Sequence, residues 1–247
     1  MISWFRQLDR LLRGEHTRNE QLASGRFDLS LRTFVPLAIG LGATYGFFMG
    51  WFALAQHWGS GSGRGYMQMM AGMIKLPALF LLTLLVTFPS LYVFNALVGT
   101  RLTFVAALRL LVAAIVVNLA VSASLGTILA FFTLSTTRYH FMVVLNVVLL
   151  AISGCVGLGF LLQTLKRLTP LDSSESPVSP DADRPEKDAA NTIFYVWIVI
   201  YALVGMQMGW LLRPFIGSPD APFEWFRERR GNFFQGLFDN IQQMLGS

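Results

Sequence analysis

The sequence predicts an all-α membrane protein, a bundle of about five transmembrane helices with amphipathic helices at its N- and C-terminal ends. Three observations carry this expectation. Of the 247 residues 54% are hydrophobic and only 13% charged, and a mean hydropathy of +0.54 lies far above that of soluble chains. Between Leu29 and Leu171 there is no Asp or Glu, whereas a soluble fold of that length would carry carboxylates over its surface. Several apolar stretches are long enough to cross a bilayer, because a helix rises about 1.5 Å per residue and the hydrocarbon layer is about 30 Å thick.

Taken in order, residues 1–32 form a cytoplasmic segment in which Trp4, Phe5, Leu8, Leu11 and Leu12 recur at helical spacing while Arg6, Asp9, Arg10 and Arg13 take the other face. That is the pattern of a helix lying among headgroups. The segment lacks the charged, apolar and small-residue order of a cleavable signal, so the first span must itself target the chain. Four spans are expected at 33–56, 71–98, 102–134 and 141–165. Gly59 to Gly65 reads GSGSGRG; no strand precedes it, so it reads as a flexible linker and not as a phosphate loop. Residues 166–191 set Pro170, Pro177, Pro180 and Pro185 among Ser, Asp and Glu, a composition too polar to offset chain entropy, and are expected to be a disordered cytoplasmic loop. A fifth span is expected at 192–213 and an amphipathic tail at 214–247. In that tail Asn232 is a candidate N-cap with Gln235 three residues on, and Phe234, Leu237, Phe238, Ile241 and Leu245 form an apolar stripe.

The pI of about 9.7 does not point to nucleic acid, because Lys and Arg sit in tails and short loops, where they orient helices and meet anionic headgroups. The N-terminal segment holds Arg6, Arg10, Arg13, Arg18, Arg26 and Arg32. Placing it in the cytoplasm also puts Arg101, Arg109, Lys166, Arg167, Arg184 and Lys187 inside and leaves Arg64, Lys75 and Arg138 outside. An odd number of spans then puts the C-terminus outside despite Arg213, Arg227, Arg229 and Arg230.

Polar residues within spans are the candidate functional positions: Asn95, Arg109, Asn118, Asn146 and Gln207. Each can serve as interhelical glue or line a path. Arg109 lies two turns beyond Arg101, about 12 Å deeper along a continuous helix, or marks the true start of the third span. No carboxylate lies in any span, which disfavours proton-coupled transport and carboxylate-held metals. His57 and His140 fall at span ends, and Ser153 and Cys155 lie about 20 Å along the helix from His140, too far for a base to activate them. Met67, Met69, Met70 and Met73 read as packing residues, since no Cys or His joins them as a soft metal site would require. No catalytic residue, metal site or cofactor is expected. Packing signals are stronger: Gly42, Gly46 and Gly50 recur at four-residue intervals, and Gly205 with Gly209 repeats the spacing, so close helix approach is expected at both faces. Pro77 and Pro89 should kink the second span or open a carbonyl to a partner.

The runs KLPALFLLTLLVTFPSLYVFNALVG, from Lys75 to Gly99, and MGWLLRPFIGSP, from Met208 to Pro219, resemble those of an uncharacterised family of bacterial multi-pass inner-membrane proteins. The resemblance implies that membrane as the location and brings no activity with it. Five spans with a cytoplasmic N-terminus are also similar in topology to the Yip1 group of membrane-trafficking proteins, although the Asp-Leu-Tyr-Gly-Pro motif of its eukaryotic members is absent. Abundant packing signal with little reactive chemistry predicts a non-enzymatic membrane scaffold or accessory subunit. Its partners would be the bilayer and another membrane protein or further copies of itself. The alternative is a passive channel or transporter lined by Asn, Gln and Thr.

Overall fold

A computed structural model describes residues 6, 7, 9, 30–57, 63–98, 104–168, 184–218, 222–227 and 231–246. Among the described residues the chain is all-helical: α1 (Leu31–Gln56), α2 (Arg64–Val98), α3 (Phe104–Ser135), α4 (Tyr139–Leu168), α5 (Arg184–Leu212) and α6 (Phe233–Leu245). The first five are long and apolar enough to cross a membrane, so the chain is a multi-pass membrane protein. Of the N-terminal amphipathic segment only Arg6, Gln7 and Asp9 are described, all helical; the rest of it lies outside the described residues.

Two boundaries differ from expectation for physical reasons. α2 begins at Arg64 and not at 71, so the end of the glycine-rich linker is helical. A Cβ on Gly65 would come within 2.7 Å of Leu54 Cα; its absence lets the first turn of α2 lie directly on α1, and that tertiary contact outweighs glycine's poor helix propensity. α5 begins at Arg184 and not at 192, so the last part of the expected disordered loop is helical, while 169–183 lies outside the described residues. Pro185 falls in the first turn, where its missing N–H is tolerated. The helices α3 and α4 match their expected spans within a few residues.

Neighbouring spans follow the order α5, α2, α1, α3, α4, and α6 lies against α4 and touches α5, so the order curls back on itself. Direction alternates along the chain. Gly46 meets Gly72 between α1 and α2, Ser122 meets Ser153 between α3 and α4, and Trp197 of α5 meets Thr87 of α2. The core is built on Tyr45, Met49 and Phe52 of α1, Leu76 of α2, Val116 and Leu119 of α3, Met142 of α4 and Trp197 of α5, all essentially without exposed surface. In α3 burial is nearly continuous from Leu110 to Ala120, as expected of a helix enclosed on all sides.

The α1–α2 contact is a ladder of small residues. A Cβ on Gly42 would lie 3.0 Å from Pro77 Cβ, one on Gly46 would overlap the Gly72 carbonyl, one on Gly72 would lie 2.6 Å from Gly46 O, and one on Gly50 would overlap Met69 Cα. Backbones this close gain dispersion contacts that larger side chains would prevent. Pro77 therefore faces α1, and α2 continues as one helix through both Pro77 and Pro89. Two residues before Pro89 the Thr87 carbonyl accepts the Trp197 indole N–H at 3.2 Å.

Candidate functional site

The polar residues expected inside the spans fall into different environments. Asn146 in α4 is buried, and its Oδ1 accepts the Tyr45 hydroxyl at 2.8 Å, tying α1 to α4. Ser122 Oγ donates to Ser153 Oγ at 2.7 Å and lies 3.4 Å from Asn118 Oδ1, while Ser153 Oγ donates to Leu150 O at 2.9 Å. A Cβ on Gly157 would lie 2.8 Å from Asn118 Cβ, so this polar cluster occupies a close α3–α4 seam. Interhelical hydrogen bonds of this kind contribute on average about 0.6 kcal/mol each in a membrane. Thr83 and Thr87 return their hydroxyls to carbonyls of their own helix, at Leu79 and Thr83. Arg109 lies within α3 beside the buried run. Asn95 lies in α2, but its side chain is outside the described residues. Gln207 is exposed and makes no side-chain hydrogen bond among the described residues.

The glycine faces also diverge. Gly42, Gly46 and Gly50 are covered by α2, whereas a Cβ on Gly205 would make only ordinary contact with Thr83 Cγ2 at 3.6 Å and one on Gly209 would meet nothing within 4 Å. Among the described residues the second pair therefore makes no close helix approach. Gly205 faces α2 at ordinary van der Waals distance, and the position of Gly209 is open.

His57 and His140 do not come together with Ser153 or Cys155. Nδ1 of His57 donates to Ala53 O at 2.9 Å, Nδ1 of His140 donates to Asn240 Oδ1 at 2.9 Å, and Cys155 is exposed. Met67 and Met70 face outward while the Met69 and Met73 backbones lie on α1, so the four methionines do not converge.

What the structure does bring together is the end of the bundle where α1 finishes, α2 starts and the tail folds back. Lys75 is 3% exposed; its Nζ donates to Pro214 O at 3.2 Å and to Trp225 O, and lies 5.3 Å from the Phe226 ring centroid and 5.8 Å from that of Trp225. Gln68, also buried, donates through Nε2 to Pro214 O at 3.0 Å and Phe215 O at 2.9 Å. A Cβ on Gly217 would lie 2.8 Å from Ala53 Cβ and from Gln68 Cγ, so only glycine lets the tail settle on both helices. Beside it Arg213 stacks on Trp210, its Cζ 3.6 Å from the ring centroid, and Arg227 N donates to Arg213 O at 3.3 Å. The Tyr139 hydroxyl lies within hydrogen-bond reach of Arg227. Burial, then the neighbouring Arg227 charge, holds Arg213 below the usual arginine range. Sequence reasoning placed Lys75 in an outer loop; it is instead inside α2, and Gln68 went unnoticed. The signal was their seven-residue separation, two helical turns, which places both on one face.

Helix α6 is anchored at the same end. The Asn232 side chain accepts from Gln235 N at 3.0 Å and Asn232 N donates to Gln235 Oε1 at 3.2 Å, the expected reciprocal cap. Gly231 before it has φ +74, and its carbonyl accepts the Trp210 indole N–H at 3.1 Å. The docked face is rotated from the expected stripe. Gly236, on which a Cβ would collide with the Trp210 ring, and Asn240 lie inward, while Phe234, Phe238 and Leu245 are exposed.

No protein-family model, curated protein or solved structure matches the chain.

Proposed function

We propose that the protein is a non-enzymatic accessory subunit of the bacterial inner membrane, its N-terminus in the cytoplasm, that holds another protein's transmembrane helix along α5. The observation that carries this reading is Gln207. It continues an uncovered face with Val196, Val199 and Leu203, at helical spacing, on a span that packs chiefly against α2. It lies about 8 Å inside the end of that span, too deep for a short amide to reach the headgroups as Lys or Arg does. An amide left without a partner in hydrocarbon costs about 2–7 kcal/mol. A helix with a polar group at the same depth would satisfy it.

The channel alternative has less support, because Asn118 and Asn146 take part in helix-to-helix hydrogen bonds and Thr83 and Thr87 bond within their own helix. The test is purification at native expression level into lipid nanodiscs, with mass spectrometry of the proteins that remain bound. A stoichiometric membrane protein that is lost on Gln207→Leu is the expected result. A homo-oligomer would make a second copy the occupant of α5. Substrate-specific flux through liposomes containing the purified protein alone would overturn the reading.

A further inference from the structure

At the end of the bundle where the tail folds back, a small cleft is lined by Ala53, His57, Arg64, Gln68, Gly217, Ser218, Pro222, Phe223 and Arg227. Its charged groups are of one sign. Arg64 opens α2 and is exposed, Arg227 is half-buried in the tail, and no described Asp or Glu lines the cleft. Neither Arg64 nor Arg227 has a carboxylate partner among the described residues. The first turn of α2 adds backbone N–H groups that no earlier turn of the helix can satisfy, with the positive end of the helix dipole behind them. His57 ends the first span, so the cleft sits at the level where hydrocarbon gives way to headgroups. Both arginines line the one cleft, and guanidinium groups on its walls can offer a shared anion charge-assisted hydrogen bonds. Arg227 has donors to spare for this while reaching Tyr139.

We infer that Arg64 and Arg227, supported by the start of α2 and by Ser218, form a binding site for a phosphate group at the membrane surface. Lipid phosphodiester and free phosphate share the recognised chemistry. The exposure of Arg64 at the mouth of the cleft leaves room for a headgroup approaching from the membrane plane. The site is independent of the partner face on α5.

The experiment is native mass spectrometry of the intact protein released from mild detergent, titrated with phosphatidylglycerol or phosphatidylcholine, together with thermal unfolding in increasing inorganic phosphate. Wild type should retain one more phosphatidylglycerol than Arg64→Gln/Arg227→Gln, at an affinity roughly tenfold or more higher, as expected for losing a hydrogen bond to a charged group. Phosphatidylcholine, whose own choline cation neutralises the same phosphodiester, should distinguish the two less than phosphatidylglycerol does. Arg138→Gln, an exposed cation at the same end but outside the cleft, should behave as wild type. If only inorganic phosphate separates wild type from the double variant, the site stands and its ligand is the free anion. If neither probe separates them, or Arg138→Gln weakens binding equally, the inference is wrong. Should the double variant fold poorly, Arg64→Gln alone carries the test, because Arg64 is exposed.

Discussion

A glycine in a membrane helix takes its meaning only from the group that lies opposite it. A leucine at position 46 would drive its side chain into the Gly72 carbonyl and the Met73 backbone. Backbone cannot move aside as a flexible side chain can, so Gly46→Leu should lower stability by about 1–3 kcal/mol or more. Gly209→Ala meets nothing within 4 Å and should be neutral or slightly stabilising in the isolated protein, since alanine is favoured by about 1 kcal/mol in a helix interior. Thermal unfolding in one detergent should separate the two variants; equal losses would mean that the α1–α2 ladder does not hold the bundle. The same pair shows how far residue patterns can be read from sequence. Four-residue spacing in α1 and in α5 looks alike, because spacing specifies a face but not its neighbour. For Asn146 and Gln207 only the residue type was legible. Tyr45, which satisfies one and not the other, is 101 positions away from Asn146 along the chain.

Among elements, the tail is attached by side chains of α2 more than by a core of its own. Lys75 holds the carbonyls of Pro214 and Trp225, and Gln68 those of Pro214 and Phe215. These are acceptors that no helix or strand satisfies, so removing the donors exposes them to an unfavourable environment. Lys75→Met keeps the aliphatic stem and removes the ammonium. It should cost about 1–3 kcal/mol, and the loss should appear as faster hydrogen exchange over 214–227 with little change in α1 or α3. A uniform rise in exchange across the bundle would instead make Lys75 a general core residue. Element existence was legible in the sequence because hydrophobic length is a local property. The depth of Lys75 was not, since its partners lie 139 and 150 positions away. The orientation of α6 was half-legible: the Asn232–Gln235 cap is a local motif, but which flank faces inward depends on Trp210 and His140.

For the whole molecule the decisive quantity is which side of the membrane each end of the bundle faces. Among the described Lys and Arg residues, Arg64, Lys75, Arg138, Arg213 and Arg227 lie at the tail end, and Arg6, Arg32, Arg109, Lys166, Arg167, Arg184 and Lys187 fall toward the opposite end. Orientation is set chiefly by cations near the first span, and the six arginines ahead of α1 outweigh those nearer the C-terminus. The tail cations weaken this bias less than their number suggests: Lys75 is occupied by carbonyls and Arg213 lies on an aromatic ring. The expected arrangement is therefore an N-terminus in the cytoplasm with α6 on the outer surface, its Phe234, Phe238 and Leu245 edge dipping into the outer headgroup layer. In a Cys155→Ser background, Gln243→Cys on the exposed side of α6 should react with a membrane-impermeant thiol reagent on intact spheroplasts. Ser30→Cys, just before α1, should react only after lysis. Reaction of both from outside would contradict an odd number of spans. Reaction of Ser30→Cys alone would invert the molecule, placing the Arg64–Arg227 cleft against the cytoplasmic leaflet, where anionic lipid is reached from the other side.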